Sequence, residues 1–157
     1  MERITTWDIL VTKIYFDVCT LCRPFDDQTF LRIRLETDAF YLILHQIQYG
    51  EYEMVISSVH LHEIMSIEEP VERNALLTLF NQFGTYPHSQ RKARYERANH
   101  LHSLSFGVGD AAHVACAEFW ADVFLSCDDR LVKKCQKSDV KIPTLNPVDF
   151  CRMEDLR

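Results

Sequence analysis

Glycine and proline are scarce, at four and five residues in 157. Collagen-like, linker-rich and many-turned all-β architectures are poor fits to that composition. No apolar run reaches the ~20 residues of a membrane span, and no charged segment leads into an apolar stretch at the N-terminus. The expectation is a protein of the cytoplasm that makes no use of a membrane. An excess of positive charge is also missing: 17 basic residues face 23 acidic ones, for a net charge of −6. That excludes broad electrostatic coating of nucleic acid. It does not exclude a site whose carboxylates are neutralised by cations, and two divalent ions would cancel most of the excess. The remainder, 47% hydrophobic and 25% charged, is ordinary for a globular chain. The length suits one domain over residues 1–157, with 1–12 as an N-terminal extension of undefined role.

Six cysteines are present, at 19, 22, 116, 127, 135 and 151. A chain this long and apolar needs no disulfide framework, so most read as small buried hydrophobes in a reducing compartment. Cys19-Thr20-Leu21-Cys22 is the exception, since Cys-x-x-Cys after a strand can be a redox pair. Such a pair wants its first thiol at a helix N-terminus. Here Arg23-Pro24-Phe25-Asp26-Asp27 separates it from the next helical pattern, which argues against redox chemistry. No second ligand pair with matching spacing accompanies it, so a zinc site is not indicated.

Strand and helix patterns alternate along the chain. Lys13 to Asp17 is a short β-favouring run, followed by helical spacing from an N-cap at Asp27 to about Tyr49, with Gly50 as the stop. Met54-Val55-Ile56 predicts a second strand and the segment around Glu63 a short helix. Another helix begins at Pro70, and Thr85-Tyr86-Pro87 predicts a minimal strand. Ser89 to His102 and the Ala-rich Asp110 to Trp120 read as helices, then Val123 to Leu125 as a strand and Asp129 to Cys135 as a helix. Lys141 to Leu145 predicts the last strand, before Asn146-Pro147. Continuous apolar strands joined by short helical crossovers specify a parallel sheet covered on both faces. The fold class is therefore a three-layer α/β/α sandwich.

Ligands of open parallel sheets bind beyond the carboxyl ends of the strands. Asp17 closes the first strand and Asp128 lies just past the fourth. Glu63 sits on the helix after the second, and Asp110 opens the Ala-rich helix after Gly107 and Gly109. Taken singly, each acid could be a cap, a turn former or part of a solvated face. Together on one edge, they would repel unless protonated or bound to cations. All-oxygen donors select Mg²⁺ or Mn²⁺, which suits metal-assisted phosphodiester hydrolysis.

These residues resemble the PIN domain, the nuclease fold of VapC-type toxins in bacterial and archaeal toxin–antitoxin pairs. The likeness runs through Ile14-Tyr15-Phe16-Asp17, Arg23-Pro24-Phe25-Asp26-Asp27-Gln28, Ile56-Ser57-Ser58 and His62-Glu63-Ile64. It is strongest at Gly109-Asp110-Ala111-Ala112-His113-Val114-Ala115 and Phe124-Leu125-Ser126-Cys127-Asp128-Asp129, and ends at Asn146-Pro147-Val148-Asp149-Phe150. The resemblance implies a PIN-like fold and an Mg²⁺- or Mn²⁺-dependent ribonuclease acting on single-stranded RNA. It implies a homodimer held by an antitoxin, with Asp17, Glu63, Asp110 and Asp128 as catalytic metal ligands. Ser126 would orient the site by hydrogen bonding. Cys19 stands where many members carry Asn or Ser, a departure that bears on activity because a thiol is a poor ligand for a hard cation.

Among the cations, Arg91, Lys92, Arg94 and Arg97 are candidates for phosphate contact or a solvated helix face. Arg23 could bind phosphate or pair with Asp26 or Asp27. His60/His62 and His100/His102 lack a third ligand for a transition metal, and His113 reads as a core group or a support behind the site. The alternatives are a catalytically weak PIN fold that only binds a partner, and a redox protein built on Cys19 and Cys22.

Overall fold

The computed structural model describes residues 10–157; residues 1–9, and with them most of the N-terminal extension, lie outside the described residues. Five strands, β1 (Thr12–Phe16), β2 (Tyr52–Val55), β3 (Gly84–Thr85), β4 (Val123–Leu125) and β5 (Thr144–Leu145), form one sheet in the order β3-β2-β1-β4-β5. Every pairing is parallel, with Ile14 opposite both Met54 and Val123. The helices are α1 (Val18–Cys22), α2 (Leu31–Gln48), α3 (Ser58–Met65), α4 (Pro70–Phe83), α5 (Arg91–Ser103), α6 (Val108–Trp120), α7 (Asp129–Lys137) and α8 (Pro147–Met153). No helix among the described residues is long and apolar enough to cross a membrane.

Side chains alternate across a strand, and both sets are buried here. Ile14, Phe16, Met54, Ile56 and Leu125 face a core built with Phe40, Ile43, Leu76, Phe80 and Phe150 of α2, α4 and α8. Tyr15, Val55 and Phe124 face a second core with Leu101, Val114, Leu131 and Cys135 of α5, α6 and α7. Two covered faces make the three-layer α/β/α sandwich expected of the sequence. Each large side chain removed from water contributes about 1.5–3 kcal/mol, so the central strands carry much of the stability. Ala111, Ala115 and Ala117 are buried on α6, and their small size lets it lie close to the sheet.

Boundaries differ from the sequence reading for local reasons. Asp27 does not cap α2; its Oδ1 accepts from Thr29 N at 3.0 Å and Thr29 Oγ1 at 2.7 Å, and the helix starts at Leu31. An Asx turn has claimed the oxygen a cap would use. The loop expected after β1 is instead α1, followed by a 3₁₀ turn at Arg23–Phe25. β3 falls at Gly84–Thr85 rather than 85–87. A Cβ at Gly84 would sit 2.7 Å from the Phe80 carbonyl, so only glycine permits this approach to α4. β5 begins after Pro143, which has no N–H to offer the ladder. α6 begins at Val108, two residues before Asp110.

Candidate metal centre

The chain leaves β1 for β2 and β3 on one side of it, then returns to β4 on the other. The crevice beyond the carboxyl ends of β1 and β4 is therefore the topological switch point, where ligands of such sheets bind. Asp17 opens into it directly from β1. Its backbone N–H donates to Leu125 O at 2.8 Å, which fastens it to the end of β4. Ser126 Oγ–H donates to Asp17 Oδ2 at 2.8 Å, and Cys19 Sγ–H donates to the same oxygen at 3.2 Å. Ser126 Oγ in turn accepts from Asp128 N at 3.1 Å, so one buried hydroxyl sets both acids. Asp128 caps α7, its Oδ1 accepting from Arg130 N and Leu131 N at 2.9 and 3.2 Å. The cap role falls to Asp128 rather than to Asp129.

Glu63 is held from behind. Its Oε1 accepts from His113 Nε2–H at 3.0 Å, and His113 Nδ1 accepts from the Tyr15 hydroxyl at 2.7 Å. Tyr15 receives a hydrogen bond from Ser57 Oγ at 2.7 Å, which completes a buried chain reaching from the α3 N-terminus to the carboxylate. Burial raises the Tyr15 pKa well above its ordinary value, so the hydroxyl stays neutral and able to donate. His60 closes the back wall: Nδ1 accepts from Ser57 N at 3.0 Å, which puts the ring proton on Nε2, 2.6 Å from Phe16 O. Burial, reinforced by His113, pushes the His60 pKa down to about 3. Glu63 also lies over the first turn of α6, since a Cβ at Gly109 would stand 3.2 Å from its Oε1.

Asp110 is in that first turn but is not the cap, which is Gly107. Its carboxylate has no hydrogen-bond or ion-pair partner among the described residues. Its pKa is raised, first by burial and then by the charges of Asp17 and Asp128, with a smaller push from Glu63 and an opposing pull from His113. Asp110 thus feels the other three acids across the crevice. No Lys or Arg comes within ion-pair distance of any of them among the described residues; the arginine pairs all go elsewhere. Three of the four have one oxygen anchored by a hydrogen bond, and Asp17 Oδ1, Asp128 Oδ2 and Glu63 Oε2 have none among the described residues.

In their present rotamers, no three His, Cys, Asp or Glu side chains among the described residues surround a point that could hold an ion. The donor set still fits a hard cation in type. Mg²⁺ commonly keeps several waters and is bound through only one or two carboxylates, so a closed cage is not needed.

The other residues singled out in the sequence divide sharply. Arg23 is occupied by Asp26 at 2.8 Å and Glu36 at 3.3 Å. Arg97 is bound to Glu118 at 2.8 and 2.9 Å and to Asp139. Arg94 donates to Ser89 O at 3.0 Å and lies 3.9 Å over the Trp120 ring. Arg91 has no polar partner among the described residues. His60 is buried while His62 is exposed, so the pair does not share a ligand face. Cys19 does lie in the first turn of a helix, contrary to the spacing argument against a redox pair. Both thiols are free, however, and Cys22 is pushed up to about 12 by burial and by Glu72, which is unsuited to exchange chemistry. The supporting Tyr15 was not anticipated as a functional group. Its signal is a polar tip in the buried half of β1, paired through space with a histidine one turn after Asp110.

No protein-family model matches the chain, and no curated protein matches it in sequence. Among solved structures, the chain is similar to the crystal structure of FitAcB from Neisseria gonorrhoeae at 15% identity and a TM-score of 0.54. The match covers 85% of this chain and 97% of that one. At that identity the likeness concerns the fold, and it agrees with the architecture described above: a PIN-like α/β/α sandwich on a five-stranded parallel sheet.

Proposed function

We propose that this chain is a metal-dependent endoribonuclease of PIN type that hydrolyses phosphodiester bonds in single-stranded RNA. In this reading it is the cytoplasmic toxin of a toxin–antitoxin pair, a homodimer restrained by its antitoxin. The observation that carries it is the crevice at the switch point. Four acids from four separate segments line it with no Lys or Arg in ion-pair distance among the described residues, and Asp110 is raised by burial and then by the charges of Asp17 and Asp128. Acids set side by side without a Lys or Arg partner suit a cation from solution.

Asp17, Asp110, Asp128 and Glu63 would hold Mg²⁺ or Mn²⁺. When bound, such an ion lowers the pKa of an attacking water and offsets charge on the leaving 3′-oxygen. The protein supplies orientation. Ser126 fixes Asp17 and Asp128 relative to each other, and the Tyr15–His113 chain fixes Glu63. Supporting partners of this kind are worth about 10–100-fold in metal affinity or activity. Cys19 touches Asp17 through its proton rather than through a sulfur lone pair, so it acts as a donor to a ligand and leaves the hard-cation site intact.

The test is Mn²⁺-dependent cleavage of a single-stranded RNA by the wild type, Asp17→Asn and Cys19→Ser side by side. Asp17→Asn should lose about 10³-fold or more in rate while remaining folded, because a ligand charge has gone. Cys19→Ser should stay within a few-fold of wild type, since serine donates to Asp17 equally well. Full activity in Asp17→Asn would sink the assignment, and loss confined to Cys19→Ser would favour thiol chemistry.

A further inference from the structure

A cavity of about 620 Å³ opens between α3, α5 and α6, within the usual range for small-ligand sites. Its walls are Val59, Ala98, Ala112 and Ala115, and its α5 rim carries Arg91, Lys92 and Tyr95. A second hollow of about 390 Å³ shares Ser58, Arg91 and Arg94 with it and runs past the carboxyl end of β3 to Tyr86 and His88. Among the described residues no acid lines either hollow, although the chain as a whole carries −6. Three features set this groove apart. Tyr95 stands 69% exposed on a basic helix. Arg91 has no polar partner among the described residues, and Lys92 has only Glu96 at 4.0 Å. Small residues on the facing helices leave an apolar gap where larger ones would close it. Ser58 of the groove follows Ser57 of the Glu63-supporting chain, and Ala112 follows Asp110 by two residues on another face of α6.

We infer that this cavity is a nucleotide subsite that seats one unpaired base of the RNA, with Arg91 and Lys92 holding the phosphates beside it. The inference rests on the nuclease reading for the identity of the strand. An apolar cavity beside an exposed aromatic suits a base, and the rim cations suit the phosphates on either side. An acidic peptide would satisfy the cations but would leave the cavity unfilled. The subsite discriminates among bases through the size of its cavity, and the acidic crevice receives a bond elsewhere along that strand.

The experiment is fluorescence anisotropy of labelled hexanucleotide RNAs, one for each base, on the whole chain in EDTA, where cleavage is silent. Wild type should prefer one base. Tyr95→Ala and Arg91→Ala should each weaken binding about tenfold. Arg91→Ala should also lower the slope of log affinity against log salt by about 0.7, the share of one phosphate contact on a single strand. Ala112→Leu should erase the base preference with the melting temperature unchanged. If Ala112→Leu does not fold, the two surface variants still give the answer. Binding of both within twofold of wild type would overturn the subsite, as would displacement of the RNA by poly-glutamate at equal charge. Asp17→Asn separates the two readings. Lost binding in Tyr95→Ala without any Asp17-dependent cleavage leaves the subsite and removes the nuclease. Asp17-dependent cleavage with wild-type behaviour in Tyr95→Ala and Arg91→Ala does the reverse.

Discussion

Asp128 and Asp129 are neighbours in sequence and stand in opposite electrostatic surroundings. Asp129 receives the fork of Arg32 at 2.6 and 2.8 Å, and its pKa is lowered accordingly. Arg32 continues to Glu36 at 3.1 Å, Glu36 meets Arg23 at 3.3 Å, and Asn146 donates to its other oxygen at 2.6 Å. This brace ties the turn after β1, the start of α2 and the turns after β4 and β5 into one network. Asp128 faces the other way, into the crevice with Asp17, Asp110 and Glu63, where no arginine or lysine among the described residues reaches. The difference separates acids that hold the loops in place from acids that the loops hold in place. A brace of paired charges around an unpaired cluster is what a preorganised cation site requires: the repulsion is confined to one crevice and the scaffold around it is neutral.

The sharpest way to break this division is to remove the anchor of the brace. Glu36 is 1% exposed, and Glu36→Ala would leave two arginines without their shared partner. A loss of about 3 kcal/mol is expected, at the low end for buried pairs because Arg32 is half in water. Chemical denaturation measures it, and a change below about 1 kcal/mol would show that the network is not structural. Next in size is the support behind Glu63. His113→Ala should lower Mn²⁺-dependent cleavage about 10–100-fold, with the KM for RNA unchanged and the apparent metal affinity reduced. An equal rise in KM would assign His113 to substrate instead.

A third test uses pH. Folded His60 stays neutral down to about pH 3, whereas in the unfolded chain it takes up a proton near its ordinary 6.5. Its contribution is therefore fully present above pH 6.5 and lost as pH falls below that value, by about 1.4 kcal/mol per unit. Stability curves between pH 7 and 5 should steepen accordingly, and His60→Gln should flatten them. The smallest effect is the most telling for the crevice. Asp110 is raised in the fold, so above its unfolded pKa the charged form costs stability in the metal-free protein. Asp110→Asn should raise the melting temperature by about 1–2 °C in EDTA. With saturating Mn²⁺ the order should reverse, because only the wild type gains the full linkage from metal binding. A melting temperature in EDTA lowered by the substitution would contradict mutual repulsion at the site.

Much of this was legible in the chain itself. The apolar strands of three to five residues, separated by helical spacing, specify a parallel sheet covered on both faces, and the acids at strand ends mark its working edge. Periodicity and end position are local properties, set by backbone geometry, and a sequence displays them directly. The misplaced boundaries are local too, but they turned on single competing hydrogen bonds such as that of Asp27 to Thr29. The roles of the charged residues were not legible. Arg23, Arg91, Arg94 and Arg97 look alike as cations, yet three are committed to structure, and Arg91, at a cavity rim, has no polar partner among the described residues. Asp128 and Asp129 likewise differ only in what faces them. Those partners lie far away in sequence: Ser126 meets Asp17 across 109 residues, Arg32 meets Asp129 across 97, and His113 meets Glu63 across 50. Charge type belongs to the residue and is written in the sequence, whereas the state of that charge depends on distance and burial, which exist only once the chain has folded.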